Sequence, residues 1–495
     1  MVKRMKMKKY IQSMMAFAAI VSFASCSSED NTTIENESAT KVMTFTATQE
    51  GNEASTRAIL SGTNIHWESK DEISLLYSSE NKQFTLTDGA GSTSGKFSGK
   101  AGQSNSYTAV YPYQENASLS GDDVTNVTLP AIQYARDNSF DKKAALMMAK
   151  STKTTLEFKN AVGYVKVKPR FACSKIVLQA ARASEYLAGK CTLSYGDGMP
   201  SIAFTSDQST SITLSGTITA NTAYYIAVPA VTLSTGWSIS FTDNTGKVYT
   251  RTGSKEIEFK RNTIINLGEF SRTDNNLKLT LTQNGKVSAD KQVDMGVFNI
   301  GGTNYRLIFT KSNLTTTGLA ANESDRGDYF AWGATKTWYT SYSDNRIDKI
   351  PGKSFGYYKE DAPFYNDATT SFTKYTNAGN TLEAADDAAN KILGGDWQIP
   401  TQAIWQALVN NSKKGWNSGY KFTNNGHTLF LPAAGYVQGT YFQKYGSYGY
   451  YWSGTAYSNY NAYCLYFKSG EVNAQKNHDR GYGCPVRPVR LIPVD

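Results

Sequence analysis

From about Lys41 to Phe270 apolar and polar residues alternate in short runs: Met43 to Ala47, Ile73 to Tyr77, Tyr107 to Pro112, Val162 to Val167, Tyr224 to Pro229 and Trp237 to Phe241. A period of two buries one face of a strand, and the intervening Gly, Asn, Asp and Ser supply turns, which is the pattern of β-sandwiches. At roughly 230 residues the stretch suits two sandwiches better than one, with a seam near 150 to 160. The polar residues Ser271 to Asn276 predict a hinge before Leu277-Lys278-Leu279-Thr280-Leu281 begins a new unit. There the spacing changes to that of helices. Leu382, Ala385, Ala389, Ile392 and Leu393 share one face of a predicted helix over 382–393, which Gly394-Gly395 stop. A second helix is predicted after Ile399-Pro400-Thr401, with Thr401 as N-cap and Trp405 and Leu408 facing inward. The last 200 or so residues therefore read as an α+β domain.

The N-terminus has a different pattern. Lys3, Arg4, Lys6, Lys8 and Lys9 precede an apolar stretch from Met14 to Ala24 that stops at Ser25-Cys26. A positive segment, an apolar segment too short to span a bilayer and small residues before a cut make a secretory signal over 1–25. Cys26, first after the cut, is placed to receive diacylglycerol on its thiol, which implies a lipid anchor, and the acidic Ser27-Ser28-Glu29-Asp30 behind it resembles the tag that sends lipoproteins of the Bacteroides type to the outer face of the outer membrane. The following Ser27-Ser28-Glu29-Asp30 and the Thr/Asn/Glu-rich run behind it read as a tether. The formal charge of +9 includes five charges of the signal, so the mature chain carries only +4 and no Lys/Arg block. That excludes a nucleic-acid footprint.

Four further cysteines, Cys173, Cys191, Cys464 and Cys484, stand in two pairs. In an oxidising compartment they are candidate disulfides, although four thiols allow three pairings and buried free thiols are the alternative. Three histidines and the lack of a Cys-x-x-Cys argue against zinc, and no cofactor or metal is implied. His66, His427 and His478 stand singly, without a nucleophile-elbow or metalloprotease motif, and no catalytic residue is assigned.

Several stretches carry a resemblance. Met43 to Thr48 followed by Thr56-Arg57, Trp67 with Asp71-Glu72-Ile73-Ser74-Leu75, Tyr107 to Tyr113, Leu129 to Gln133, Leu156 to Asn160, Ala188-Gly189 and Tyr224 to Pro229 resemble the fimbrillin-like proteins of Bacteroides and relatives. Gly327 to Gly333, Gly395 to Thr401, Leu429 to Gly435, Tyr451 to Thr455 and Gly483 to Arg490 resemble C-type-lectin-like domains related in fold to formylglycine-generating enzymes. The resemblance implies a multidomain chain of two all-β transthyretin-like β-sandwiches followed by an α+β C-type-lectin-like domain. On it the chain divides into a signal (1–25), a tether with a removable first strand (26–57), sandwiches at 58–155 and 156–272, a linker (273–292) and an adhesin domain (293–495).

The same resemblance implies an assembly route. An arginine-specific cut between Arg57 and Ala58, in a polar small-residue stretch, would release the strand carrying Met43, Phe45 and Ala47. The unpaired edge left behind invites a strand from another fimbrial subunit. The run from Val486 to Asp495 reads as the closing strand of its own domain, and Pro488 and Pro493 suit a donor strand poorly. A subunit with an acceptor and no donor fits the fimbrial tip, where a binding domain is useful. Trp338, Tyr339, Tyr357, Tyr358, Trp416, Tyr441, Tyr445, Tyr448 and Tyr450 are the candidate ligand contacts, because flat rings with polar tips suit a host or bacterial surface glycan or protein. The Glu-Pro-Asn and Trp-Asn-Asp stretches of calcium-dependent lectins are missing. A monomeric cell-surface glycan-binding lipoprotein is the alternative, and an enzyme, which would need clustered titratable groups in a pocket, comes third.

Overall fold

The computed structural model describes residues 40–51, 66–343, 345–356 and 361–494. Cys26, Arg57, Ala58, Tyr357 and Tyr358 lie outside the described residues.

Seven strands close a barrel: β1 (Lys41–Gln49), β2 (Glu72–Tyr77), β3 (Glu80–Asp88), β4 (Ser94–Ala101), β5 (Tyr107–Tyr111) and, after an excursion through β6 (Ser118–Ser120), β7 (Asp123–Leu129) and β8 (Ile132–Tyr134), β9 (Met147–Ser151) and β10 (Thr155–Asn160). Around the barrel they run β1-β10-β9-β5-β2-β3-β4. Alternation decides which side chains fill it. Phe45, Ala47, Ile73, Leu75, Phe84, Phe97, Leu156 and Phe158 point inward and are buried around Trp67. The Trp67 ring meets Phe97, Tyr111 and Phe158 edge-on, with centroids 4.9, 5.3 and 5.7 Å away.

The seam expected at 155/156 falls inside β10. Its alternating Leu156 and Phe158 serve the first core, because β10 pairs with β1, a partner more than 100 residues away that periodicity does not reveal. The excursion belongs to the next unit as well: β7 pairs with β13 (Ala188–Gly196), and β8 with β15 (Ser211–Ile218). The rest of that unit is built from β11 (Val162–Pro169), β12 (Cys173–Gln179), β14 (Met199–Ser209), β16 (Tyr224–Pro229), β17 (Val231–Leu233), β18 (Ser238–Asp243), β19 (Val248–Thr252), β20 (Ile257–Phe259) and β21 (Ile264–Phe270). Its sheets run β16-β11-β21 and β14-β13-β7-β6, with a larger one whose order includes β19-β18-β12-β15-β8. The two units thus interlock rather than follow one another.

Nor is the expected linker at 273–292 a free hinge. β22 (Lys278–Leu279) adds to the edge of β19. Arg306, fully buried, donates to the carbonyls of Arg272 and Leu277 at 3.1 and 3.0 Å and forms an ion pair with Asp294 at 2.8 Å. A buried guanidinium is expensive unless acceptors meet it, and here the Asp294 carboxylate and the segment's two carbonyls meet its terminal nitrogens, while Nε is left without a partner.

In the C-terminal unit β23 (Gln292–Ile300) pairs with β24 (Thr303–Thr310), and the final strand Val489–Pro493 pairs with β24 on its other side. Among the described residues two short α-helices stand between the ladders. α2 (Gln402–Asn411) begins where expected, with the Thr401 hydroxyl accepting from Ile404 N and with Trp405 and Leu408 buried. α1 covers only Ala388–Leu393 of the predicted 382–393. The Asp387 carboxylate accepts from Ala389 N and Asn390 N and so starts the helix there, while Leu382 N is held by the Gly454 carbonyl. Buried indoles then tie the layers: Trp405 Nε1 donates to Trp452 O, Trp452 Nε1 to Phe330 O and Trp332 Nε1 to Ser453 O, at 3.1, 2.7 and 2.7 Å.

Candidate functional site: the groove filled by the first strand

Within the barrel β1 is seated asymmetrically. It pairs antiparallel with β4 over eight positions, from Lys41↔Ala101 to Thr48↔Ser94, but parallel with β10 over only four, Thr46↔Thr155 to Gln49↔Phe158. Phe45 and Ala47 are buried, Met43 is half-buried, and Thr44, Thr46 and Thr48 face solvent. The Phe45 ring stands edge-on to Phe84 and Tyr107 at 5.6 and 5.0 Å. Gly99 faces Met43 and Gly95 faces Ala47 across the ladder; a Cβ on either would lie under 3.0 Å from the ring of Phe84 or Trp67, so glycine makes the room the groove needs. Trp67 Nε1 adds a bond to the Ala47 carbonyl at 3.3 Å.

The end of the strand is fastened by charge. Glu50 meets Arg261 of the second unit in a two-pronged ion pair, both contacts at 2.8 Å, and accepts from the backbone N–H of Asn160 at 3.0 Å. One residue further the Gly51 carbonyl accepts from the Asn262 amide at 3.0 Å. Bidentate guanidinium–carboxylate geometry fixes both position and orientation. Spacing along the sequence does not signal this latch, since Glu50 and Arg261 are 211 residues apart.

The candidate ligand contacts of the C-terminal unit divide. Trp338 and Tyr339 are buried, contrary to expectation: Trp338 stacks on Phe355 at 5.0 Å, and Tyr339 Oη donates to Asp328 while accepting from Tyr329 N. Their neighbouring rings make a small core of their own, which a helix-poor domain needs. Trp416 is half-buried against Tyr420 and Phe467. Tyr441 and Tyr445 are exposed, at 51% and 53%. Tyr448 and Tyr450 are half-buried, stacked 6.5 Å apart, and Tyr450 also packs on Tyr466 and His478. Two members escaped the sequence reading. Tyr342 is 41% exposed, and Arg326 lies with its guanidinium carbon 4.3, 4.4 and 4.8 Å from the ring centres of Tyr342, Phe442 and Tyr445. This cation among π faces holds the exposed Tyr342 and Tyr445 together over Phe442. The local Asp325-Arg326-Gly327 run gives no hint of it.

Burial also shifts the titratable groups. The His478 imidazole, walled by Tyr436, Tyr450 and Tyr482, is pushed down to about 4 by desolvation and then by Lys476. Desolvation raises the Asp387 carboxyl to about 6 against the hydrogen bonds it accepts from Ile399, Asn390 and Ala389. The four cysteines are buried free thiols rather than disulfides. Cys173 lies in the core between β12 and its neighbours, while Cys191 belongs to a different core cluster, so their nearness in sequence does not bring them together. Burial pushes both thiols up to about 12. Cys464 and Cys484 share one cluster, and burial raises both thiols, Cys484 well above its ordinary value. Among the described residues no three His, Cys, Asp or Glu side chains are grouped to hold a metal.

Against known proteins, residues 416–489 match a family described as a domain of unknown function (DUF8237). No curated protein matches the chain. Among solved structures, a candidate cell adhesion protein of Bacteroides uniformis is 15% identical over 46% of this chain and 93% of its own, with a TM-score of 0.29. A candidate cell adhesion protein of Bacteroides ovatus is 12% identical over 49% and 97%, with a TM-score of 0.30. A fimbrial protein of the same species is 12% identical over 90% and 98%, with a TM-score of 0.23. Superpositions this loose carry neither fold nor function across.

Proposed function

We propose that the chain is a surface-displayed fimbrial subunit, made as a lipoprotein precursor acylated at Cys26, that acts by binding rather than by catalysis. Its first strand is a placeholder: cleavage after Arg57 frees β1, a strand of another subunit takes the groove, and the C-terminal unit, read as C-type-lectin-like, presents aromatic residues to a glycan or protein. The observation that carries this reading is the seating of β1, which fills a core slot with Phe45 and Ala47 yet is zipped to β10 at only four positions. A core-filling strand at a short seam is the element whose loss leaves an apolar groove and an unpaired edge together.

The tip position is supported by the strand Val489–Pro493, which is held on β24 from Tyr305↔Pro493 to Phe309↔Val489 and so is not offered to a neighbour. Tyr342 and Tyr445 around Arg326, with the exposed Tyr441, are the rings best suited to a ligand. The Glu50–Arg261 latch favours a second reading, a monomeric surface lipoprotein that keeps β1 for life.

Mass spectrometry of the N-terminus separates the two, using protein from sheared surface filaments and, separately, from outer membrane. A start at Ala58 in filaments supports the subunit. An N-terminus found only at acylated Cys26, with nothing in filaments, overturns it in favour of the monomer.

A further inference from the structure

The latch at the end of β1 specifies what may replace it. Glu50 and Gly51 lie before Arg57, so a cut there removes them together with Phe45 and Ala47. What stays behind is a set of donors built around a carboxylate. Arg261 keeps its bond to the Asn160 carbonyl at 3.2 Å and its contact with the Met199 sulfur at 2.7 Å, but both prongs that faced Glu50 lose their acceptor. The Asn160 backbone N–H and one amide hydrogen of Asn262 lose theirs too. Asn160 and Asn262 are buried and bonded to each other at 2.8 Å, so they cannot swing out to water without breaking that pair. The Arg261 side chain is only 21% exposed. Leaving charge-assisted donors half-buried and unpaired is costly, so an occupant that refills them gains over one that does not.

Resting on the strand-exchange reading above, we infer that the groove selects a partner strand carrying a carboxylate five residues beyond the apolar residue that takes the place of Phe45. The strand must run in the direction of β1, with a small apolar residue two positions after the Phe45 equivalent, where the fully buried Ala47 now sits opposite Gly95. The apolar positions alone set register only modulo two, since a two-residue slip keeps the same face inward. The acid removes that ambiguity: a slip of two residues would carry it some 6 to 7 Å from Arg261. Arg261 sits between β20 and β21, in the second unit, so the same carboxylate also fastens the occupant across both units.

The test uses the full chain with a site-specific protease sequence inserted at Thr56, nicked and mixed with excess fluorescent peptide of the sequence Lys41–Gly51. A second peptide differs only by Glu50→Gln, and a second chain carries Arg261→Gln. The expected result is uptake of the native peptide, with the Gln peptide bound about 10- to 100-fold more weakly on the native chain and the gap closed on the R261Q chain. If both peptides enter the native chain within twofold of each other, strand exchange stands and the carboxylate rule is overturned. If neither enters, strand exchange itself fails and the rule with it. The native chain alone decides, should R261Q not fold.

Discussion

Replacing Phe45 by Ala is the sharpest probe of how much the first barrel depends on β1. The ring is fully buried, makes two edge-on aromatic contacts and faces Phe97 across the β4 ladder. Phe→Ala in a packed core costs about 3 to 5 kcal/mol, the removed area and the cavity contributing together. In a chain of several units global unfolding is not one transition, so the loss should be read locally. Hydrogen exchange followed by peptide mass spectrometry does this. Amides of β4 and β10 exchange by opening of the barrel, and a loss of that size speeds them roughly 100- to 4,000-fold, at roughly 1.4 kcal/mol per decade. Peptides from 402–411 and 461–479, in the C-terminal unit, should not change. Thr46→Ala, on the exposed side of the same strand, should change β4 exchange by less than about threefold. Acceleration under tenfold with Phe45→Ala would refute the claim that β1 is a core element.

Three further outcomes follow from the C-terminal unit and the thiols. Folded, His478 takes a proton only below about pH 4, whereas unfolded it does so below 6.5, so between these values the unfolded chain binds more protons and stability falls as pH drops. Asp387 acts oppositely: its folded carboxyl holds a proton below about 6, its unfolded one below 3.8, and stability gains over that window as pH falls. Each term is at most about 3 kcal/mol, so they nearly cancel, and His478→Phe should make the urea midpoint rise relative to the native chain between pH 7 and pH 4.5; an unchanged difference contradicts the buried neutral imidazole. Because the cysteines are free, a reductant should leave the melting temperature within about 1 °C, while a disulfide would have added about 2 to 4 kcal/mol. Tyr441→Ala with Tyr445→Ala should leave stability within about 0.5 kcal/mol and abolish ligand capture, whereas Trp338→Ala should cost about 3 kcal/mol or more in chemical unfolding.

What could be read from sequence was local. Alternation in Met43 to Ala47 found β1 and its inward side, and the Thr401 cap found α2, because strand and helix periodicity are properties of a few neighbouring residues. What could not be read was pairing at long range. β10 sits beside β1, β7 beside β13, and Arg306 pulls Arg272 and Leu277 into the third unit; each depends on residues tens to hundreds of positions away. Aromatic exposure failed for the same reason. Trp338 and Tyr441 look alike in sequence, and only the arrangement around Phe355 decides that one is core and the other surface. The Glu50–Arg261 latch, which gives the groove its chemical character, left no mark on spacing at all.

The central claim, that another subunit's strand replaces β1, can be tested where it happens. Lys96 lies on β4 between Thr46 of β1 and Asp88 of β3 with its side chain exposed, so a photoreactive residue placed there reports the strand on the β1 side of β4, beside a constant crosslink to β3. In filaments sheared from cells and irradiated, the account predicts a crosslink to an extended segment of another subunit; a crosslink on that side only to this chain's own residues 41–49 would contradict it.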